Sequence, residues 1–202
     1  DVGWRRFAVG LLRLPASAWV LDLATGTGDL ALEVARRTPA EVRLVGLDFS
    51  EPMLRLAAEK LRRAGCGERV GWVSACAEAM PFHDGAFHAA LIAFGIRNLP
   101  DRAAGLFELR RVLREGGMLV ILELTLPPGG LLRWVCQVYS RHVLPRLAAL
   151  FSRKSAYEYL TSSIEEFPAA DDFAQTIRSA GYRCVHYQLL AGGIATVFVG
   201  VK

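Results

Sequence analysis

The chain of 202 residues reads as an α/β fold: a mostly parallel sheet with helices on both faces, ending in an antiparallel pair of strands. Three observations predict this. An apolar run closing on Leu21-Asp22-Leu23-Ala24 meets the turn Thr25-Gly26-Thr27-Gly28, then a helical pattern, then a second apolar run ending at Asp48. Apolar runs go on alternating with helical patterns as far as Leu126. Such alternation makes right-handed crossovers and hence parallel strands. Finally, two β-type runs flank Gly192-Gly193 at the end, which is the pattern of a hairpin.

Trp19–Ala24 is short, apolar and stopped by glycines, so it predicts a buried strand. Asp29–Arg37 places apolar residues at 30, 31, 34 and 35, a helical period. Val42–Phe49 is the second strand. Ser50 is a suitable N-cap for a helix that carries Pro52 in its first turn, runs through Arg63 and stops at Gly65 and Gly67. Val70–Ala75 and Phe87–Phe94 are the third and fourth strands, and a helix over about Asp101 to Arg114 follows. Gly116-Gly117 then turns the chain into a fifth strand, Met118–Leu126. Here the alternation breaks. Pro127-Pro128-Gly129-Gly130 leads into the apolar and aromatic stretch Leu131–Leu150, read as helical with Pro145 as a kink. A last helix, roughly Ala169–Ala180, stops at Gly181, and Tyr182–Leu190 and Ile194–Val201 form the closing pair.

Length predicts one domain over 1–202, large enough for a substantial core. Hydrophobic residues make up 52% of the chain and charged ones 22%, the balance of a globular protein. The net charge of +4 is spread over helix faces, as at Arg36, Arg37, Arg62, Arg63, Arg110, Arg111 and Arg114. Without clustering or interleaved aromatics this argues against nucleic acid and allows weak attraction to anionic lipid. Cys66, Cys76, Cys136 and Cys184 share no C-x-x-C spacing, so reduced thiols are expected rather than a metal site or disulfide framework. No run of 18 apolar residues and no signal peptide is present, which reads as cytoplasmic.

The turn and the acid carry the chemistry. Glycines let the backbone approach a ligand closely, and a strand-end acid accepts hydrogen bonds from ribose hydroxyls. Gly26-Thr27-Gly28-Asp29-Leu30-Ala31 also fits the dinucleotide pattern G-x-G-x-x-A, so these residues alone admit NAD or S-adenosylmethionine. Three later features favour the second: Cys76-Ala77-Glu78-Ala79-Met80-Pro81-Phe82 after the third strand, His83-Asp84-Gly85-Ala86-Phe87 turning into the fourth, and Leu113-Arg114-Glu115-Gly116-Gly117 leading into the fifth with the hairpin closing the chain. This order resembles the class I S-adenosylmethionine-dependent methyltransferases, whose Rossmann-like, seven-stranded, mostly parallel sheet carries a reversed terminal strand.

Phe94-Gly95-Ile96-Arg97-Asn98, Leu122-Glu123, Tyr157-Glu158-Tyr159-Leu160-Thr161-Ser162-Ser163-Ile164 and Gly192-Gly193-Ile194-Ala195 narrow the resemblance. Together they are similar to the ubiquinone/menaquinone biosynthesis C-methyltransferase family over essentially the whole chain. The resemblance implies methylation of a ring carbon of demethylmenaquinol or of a 2-polyprenyl-methoxy-benzoquinol, with S-adenosyl-L-methionine and no metal. It implies cofactor contacts at Thr27 and Asp48, within a set of Ala24, Gly26, Thr27, Gly28, Asp48, Phe49, Met53, Cys76, Ala77, Glu78 and Ala93. Cys76 stands where relatives often have Asn or Asp, and Ala93 where Ser is common; Ala77 keeps a backbone contact. A substrate-covering insertion is expected around 128–165, and an aromatic, Asn- and Ser-containing lid segment is expected ahead of Trp4-Arg5-Arg6. The partners this reading allows are a prenylated quinol, the membrane surface and further copies of the chain.

Carbon methylation needs alignment in a closed site and a donor or cation near a developing phenolate. Arg97 and Asn98, just beyond the fourth strand, are the first candidates, with His142 and Tyr159 behind them. Arg97 suits stabilisation of charge better than proton removal, since its pKa lies above about 12. Apart from the resemblance, Arg97 reads better as a surface arginine beside a helix-capping Asn, and His142 among Tyr139, Val143 and Leu144 better as a packed or partly exposed residue than as a base. Trp134, Val135, Val138, Leu144, Leu147, Leu150 and Phe151 fit either core or a groove for a prenyl tail. Two other readings stay open: a small-molecule O- or N-methyltransferase, and a non-catalytic protein that binds the same cofactor.

Overall fold

The computed structural model describes residues 2–130, 159 and 162–202. Its seven strands are β1 (Trp19–Leu23), β2 (Arg43–Asp48), β3 (Val70–Ser74), β4 (Phe87–Ala93), β5 (Leu113–Leu124), β6 (Arg183–Leu190) and β7 (Ala195–Val201). They form one sheet in the order β3-β2-β1-β4-β5-β7-β6. The pairs from β3 to β5 are parallel, while β7 runs antiparallel to both β5 and β6. The closing hairpin therefore turns back so that its second strand slots between β5 and its first. Helices α1 (Val2–Gly10), α2 (Asp29–Arg37), α3 (Glu51–Arg63), α4 (Arg102–Val112) and α5 (Ala170–Ser179) cover the faces.

The central strands are apolar at successive positions because both faces are packed. Leu21, Leu119, Ile121 and Phe198 face the core under α4 and α5, where Phe173 and Phe198 meet edge-on at 5.0 Å. Val20, Val120, Leu122, Val197 and Val199 face the opposite core, with Ala8 and Val9 of α1, Leu30 and Val34 of α2 and Leu61 of α3. Strand order reverses between β1 and β4, and this switch point is where such sheets open a crevice at their carboxyl ends.

Two boundaries differ from expectation. Helix α4 ends at Val112 rather than near Arg114, and β5 begins at Leu113 rather than Met118. Backbone pairing with the chain end accounts for this. Gly116 N–H donates to Lys202 O at 3.2 Å, Lys202 N–H to Gly117 O at 3.0 Å, and Lys202 Nζ to Leu113 O at 2.6 Å. Helix α1 has no counterpart in the sequence pattern. With glycines at both its ends it is a poor isolated helix, and it is held by Trp4, Phe7, Ala8 and Val9 packing onto the sheet side. Most of the expected insertion, and with it His142, lies outside the described residues.

Candidate cofactor and substrate site

The carboxyl ends of β1, β2, β3 and β4 surround a cavity of about 650 Å³. The turn after β1 forms its floor and is built from left-handed backbone: Ala24 at φ +52°, Gly26 at φ +54° and Gly28 at φ +77°. Asp48 holds that turn to β2. One of its carboxylate oxygens accepts the Gly26 N–H at 2.8 Å and the other accepts the Ser50 N–H at 2.9 Å. Each carboxylate oxygen can accept a further bond, so both keep capacity for a pair of hydroxyls. Asp48 is buried and lines the cavity.

The two glycines of the turn serve different ends. A Cβ on Gly26 would meet nothing within 4 Å, and the residue lines the cavity. A Cβ on Gly28 would come within 2.9 Å of the Ala57 Cβ and 3.1 Å of Leu61 on α3. Gly28 is not among the lining residues; its N–H bonds back to Thr25 O at 2.9 Å and its carbonyl receives Leu32 N–H, so it starts α2. Of the residues expected at the cofactor, Ala24, Gly26, Thr27, Asp48, Phe49, Met53, Cys76, Ala77, Glu78 and Ala93 all line the cavity. Phe49 and Met53 are exposed apolar side chains at its rim, 80% and 43% accessible.

Asp22, Asp29, Arg5 and Leu99 are among the further lining groups that lie outside that expected cofactor set. Asp22 sits in the middle of an apolar strand, 1% exposed, and accepts the Thr25 hydroxyl at 2.5 Å. Burial pushes its carboxyl up to about 7; the Thr25 hydroxyl, a weaker attraction from the Ala31 N–H and the charge of Arg5 oppose this, and Asp48 adds to it. Its Oδ1 has no hydrogen-bond partner among the described residues. An acid inside Leu21-Asp22-Leu23 is the signal that could have singled it out, since a buried carboxyl needs a reason. Arg5 comes from α1 and could not be placed without that helix.

Asn98 lines the cavity at the β4 side, and its Oδ1 accepts the Tyr159 hydroxyl at 3.1 Å. Arg97 does not line it. Its guanidinium donates to Glu123 Oε1 at 2.5 Å, to Phe94 O at 2.8 Å and to Ser163 Oγ at 3.3 Å, with 8% of the side chain exposed. Glu123 is fully buried; burial raises its pKa and Arg97 draws it back. Phe94, held at φ +59°, and Ala24 are strained backbone positions on the cavity wall, where such strain tends to collect.

The cavity fits S-adenosylmethionine on these grounds: a floor that stays open at Gly26, a strand-end acid with spare acceptors, and a buried acid with an unpartnered oxygen. Among the described residues no cluster could hold a metal ion, and Cys66, Cys76 and Cys184 are free thiols. Sheet order and site together define a class I S-adenosylmethionine-dependent methyltransferase. A methyltransferase from Aquifex aeolicus, S-adenosylmethionine dependent, shares the architecture: TM-score 0.71 at 18% identity, over 97% of this chain and 88% of that one. Sequence carries the assignment further. Residues 2–202 match the model of the ubiE/COQ5 methyltransferase family, and the chain belongs to that family. It is 45% identical to the ubiquinone/menaquinone biosynthesis C-methyltransferase UbiE of Geotalea uraniireducens, over all of this chain and 86% of the relative. It is 46% identical to the demethylmenaquinone methyltransferase of Thermus thermophilus, over 99% of this chain and 90% of the relative.

Proposed function

We propose that the protein methylates a ring carbon of a prenylated quinol, of the demethylmenaquinol type or the related benzoquinol precursor of ubiquinone. What supports this most is one cavity that joins a nucleoside cradle at Gly26 and Asp48 to Asn98 at the β4 edge, whose Oδ1 accepts the Tyr159 hydroxyl. The relatives' names supply the substrate class.

S-adenosylmethionine supplies an electrophilic methyl on a sulfonium that leaves as a neutral thioether. Asp48 binds the ribose hydroxyls, and Phe49 and Met53 cover the base with apolar surface. The quinol ring carbon becomes nucleophilic as the neighbouring hydroxyl gives up its proton. The ring hydrogen that the methyl replaces then leaves as a proton while the oxygen takes one back, so each transfer releases one proton net. Asn98 is the catalytic residue of this reading. Its Oδ1 is taken by the Tyr159 hydroxyl, which directs the amide N–H groups to a quinol oxygen as negative charge develops there. Tyr159 orients Asn98, and Arg97 acts from behind the wall as a positioning residue, tying Phe94 O to Glu123. Leu99 and Ala93 give the pocket an apolar lining that excludes water from the reacting atoms.

No helix among the described residues is long and apolar enough to cross a membrane. A cytoplasmic protein working at the inner membrane face reaches a prenylated substrate without a span. The test is a product mass spectrum after incubation with demethylmenaquinol, reductant and methyl-labelled cofactor. One added methyl that resists ether cleavage is expected. A cleavable methyl ether would replace this reading with O-methylation, and label transfer to no quinol would overturn it.

A further inference from the structure

Among the described residues lining the cavity, the acids are Asp22, Asp29, Asp48 and Glu78, with Arg5 as the sole cation. The cofactor carries two positive centres, its sulfonium and its ammonium, and one negative centre, its methionyl carboxylate. We propose that Arg5 binds that carboxylate and makes the site select adenosyl ligands that carry an amino-acid tail. The proposal rests on the S-adenosylmethionine reading of the cavity.

The physical argument is one of complementarity. A carboxylate entering a cavity walled by acids and apolar groups loses its hydration and is repelled unless a cation receives it. Arg5 has the geometry for this. Only 16% of its side chain is exposed, although arginine ordinarily reaches solvent. Its guanidinium carbon lies 5.3 Å from the centre of the Phe94 ring, and Nη2 lies 3.7 Å from Asp29 Oδ2. Phe94 belongs to the β4 wall and Asp29 follows the glycine turn, so the guanidinium spans the two sides of the floor where the non-nucleoside part of the ligand must run. Five donors in a planar fork allow it to take both carboxylate oxygens while keeping its present neighbours.

The neighbouring cations are committed elsewhere. Lys60 Nζ donates to Asp29 Oδ1 at 2.6 Å and to Thr27 Oγ1 at 3.2 Å, bracing the turn from α3 without lining the cavity. Arg6 pairs with Glu33 at 3.3 Å and is 56% exposed. The consecutive arginines of α1 thus divide, one into the cavity and one onto the surface of α2.

Calorimetric titration with two ligands tests this without any turnover. S-adenosylhomocysteine carries the carboxylate; 5′-methylthioadenosine has the same nucleoside and a thioether but no amino acid. Arg5→Ala should weaken S-adenosylhomocysteine by about 10- to 100-fold, the scale of one charge-assisted bidentate pair. It should leave methylthioadenosine within about twofold, which also reports that the variant is folded. Arg5→Lys should keep part of the affinity and Arg6→Ala all of it. Unchanged S-adenosylhomocysteine binding in Arg5→Ala, or an equal loss for both ligands, overturns the role of Arg5. Failure of the unaltered protein to bind either ligand overturns the cofactor reading instead.

Discussion

Glu123 and Arg97 form a buried ion pair that fastens the end of β5 to the turn following β4. Glu123 Oε1 accepts Arg97 Nη1 and also the Leu124 N–H at 2.8 Å, while Oε2 accepts the Arg97 N–H at 3.2 Å. Arg97 Nη1 also donates to Phe94 O at 2.8 Å. Through one carboxylate, the strained Phe94 and the Asn98 that lines the cavity are referred to the central sheet.

Breaking such a pair from one side leaves an uncompensated buried charge, at a cost of about 3–5 kcal/mol. Glu123→Ala should therefore lower the melting temperature by on the order of 10 °C in a chain of this size. The double variant Glu123→Leu with Arg97→Met, apolar and of similar volume, should recover much of that loss while turnover stays depressed, because Asn98 is no longer aligned. Thermal melts of the single and double variants decide this. A double variant with normal turnover would show that the pair has no part in positioning Asn98.

Asp48 combines two tasks, holding the glycine turn and offering acceptors to the ribose. Losing charge-assisted bonds of this kind costs on the order of 1.5–3 kcal/mol. Asp48→Ala should thus weaken S-adenosylhomocysteine by one to two decades by calorimetry. Asp48→Asn should fall between, since its amide can accept from only one side and presents N–H groups to the N–H of Gly26 or Ser50. Equal affinity in the wild type and both variants would place the ribose elsewhere.

Much of the sheet was readable because its central strands are apolar on both faces and are separated by glycine turns. The strand-end position of Asp48 and the place of Asn98 beyond β4 follow from the same pattern. What escaped depends on tertiary partners. Helix α1 has weak local signals and forms against the sheet, so Arg5 had no predicted position. Arg97 stands at the carboxyl edge as expected, but its partner Glu123 lies on another strand, and that partner decides whether the guanidinium faces the cavity. Gly26 and Gly28 are identical in the motif and differ only in what surrounds a missing Cβ.

That difference predicts separable phenotypes. Gly26→Ala meets no atom within 4 Å but places a methyl at the cavity floor in left-handed backbone. It should cost about 1–2 kcal/mol of stability and lower cofactor affinity at least tenfold. Gly28→Ala drives a methyl to within 2.9 Å of Ala57, so it should destabilise the packing of α2 on α3 by more than that. Its folded fraction should bind the cofactor nearly normally. Melting curves with and without saturating S-adenosylhomocysteine separate the two. Equal binding losses in both variants would return Gly28 to the cofactor contact set.

The last prediction follows from the protonation of Asp22. Burial holds its carboxyl at about 7 in the folded chain, against an ordinary value of 3.8. A raised folded value means that the folded state keeps a proton that the unfolded state has released between pH 4 and pH 7. In that window the unfolded state binds fewer protons, so this group makes stability fall as pH rises, and it contributes no slope above about pH 7 or below about pH 4. The full effect is on the order of 4 kcal/mol. Asp22→Asn keeps the shape and can still accept the Thr25 hydroxyl, and it has no proton to lose. Its denaturant midpoint relative to wild type should therefore rise with pH from 4 to 7 and then level off. Bound S-adenosylmethionine carries an ammonium able to donate to the unpartnered Oδ1, so saturating cofactor should shrink the difference at neutral pH. A difference that is constant with pH would mean that Asp22 is ionised throughout, and that the buried carboxylate is balanced by Arg5 instead.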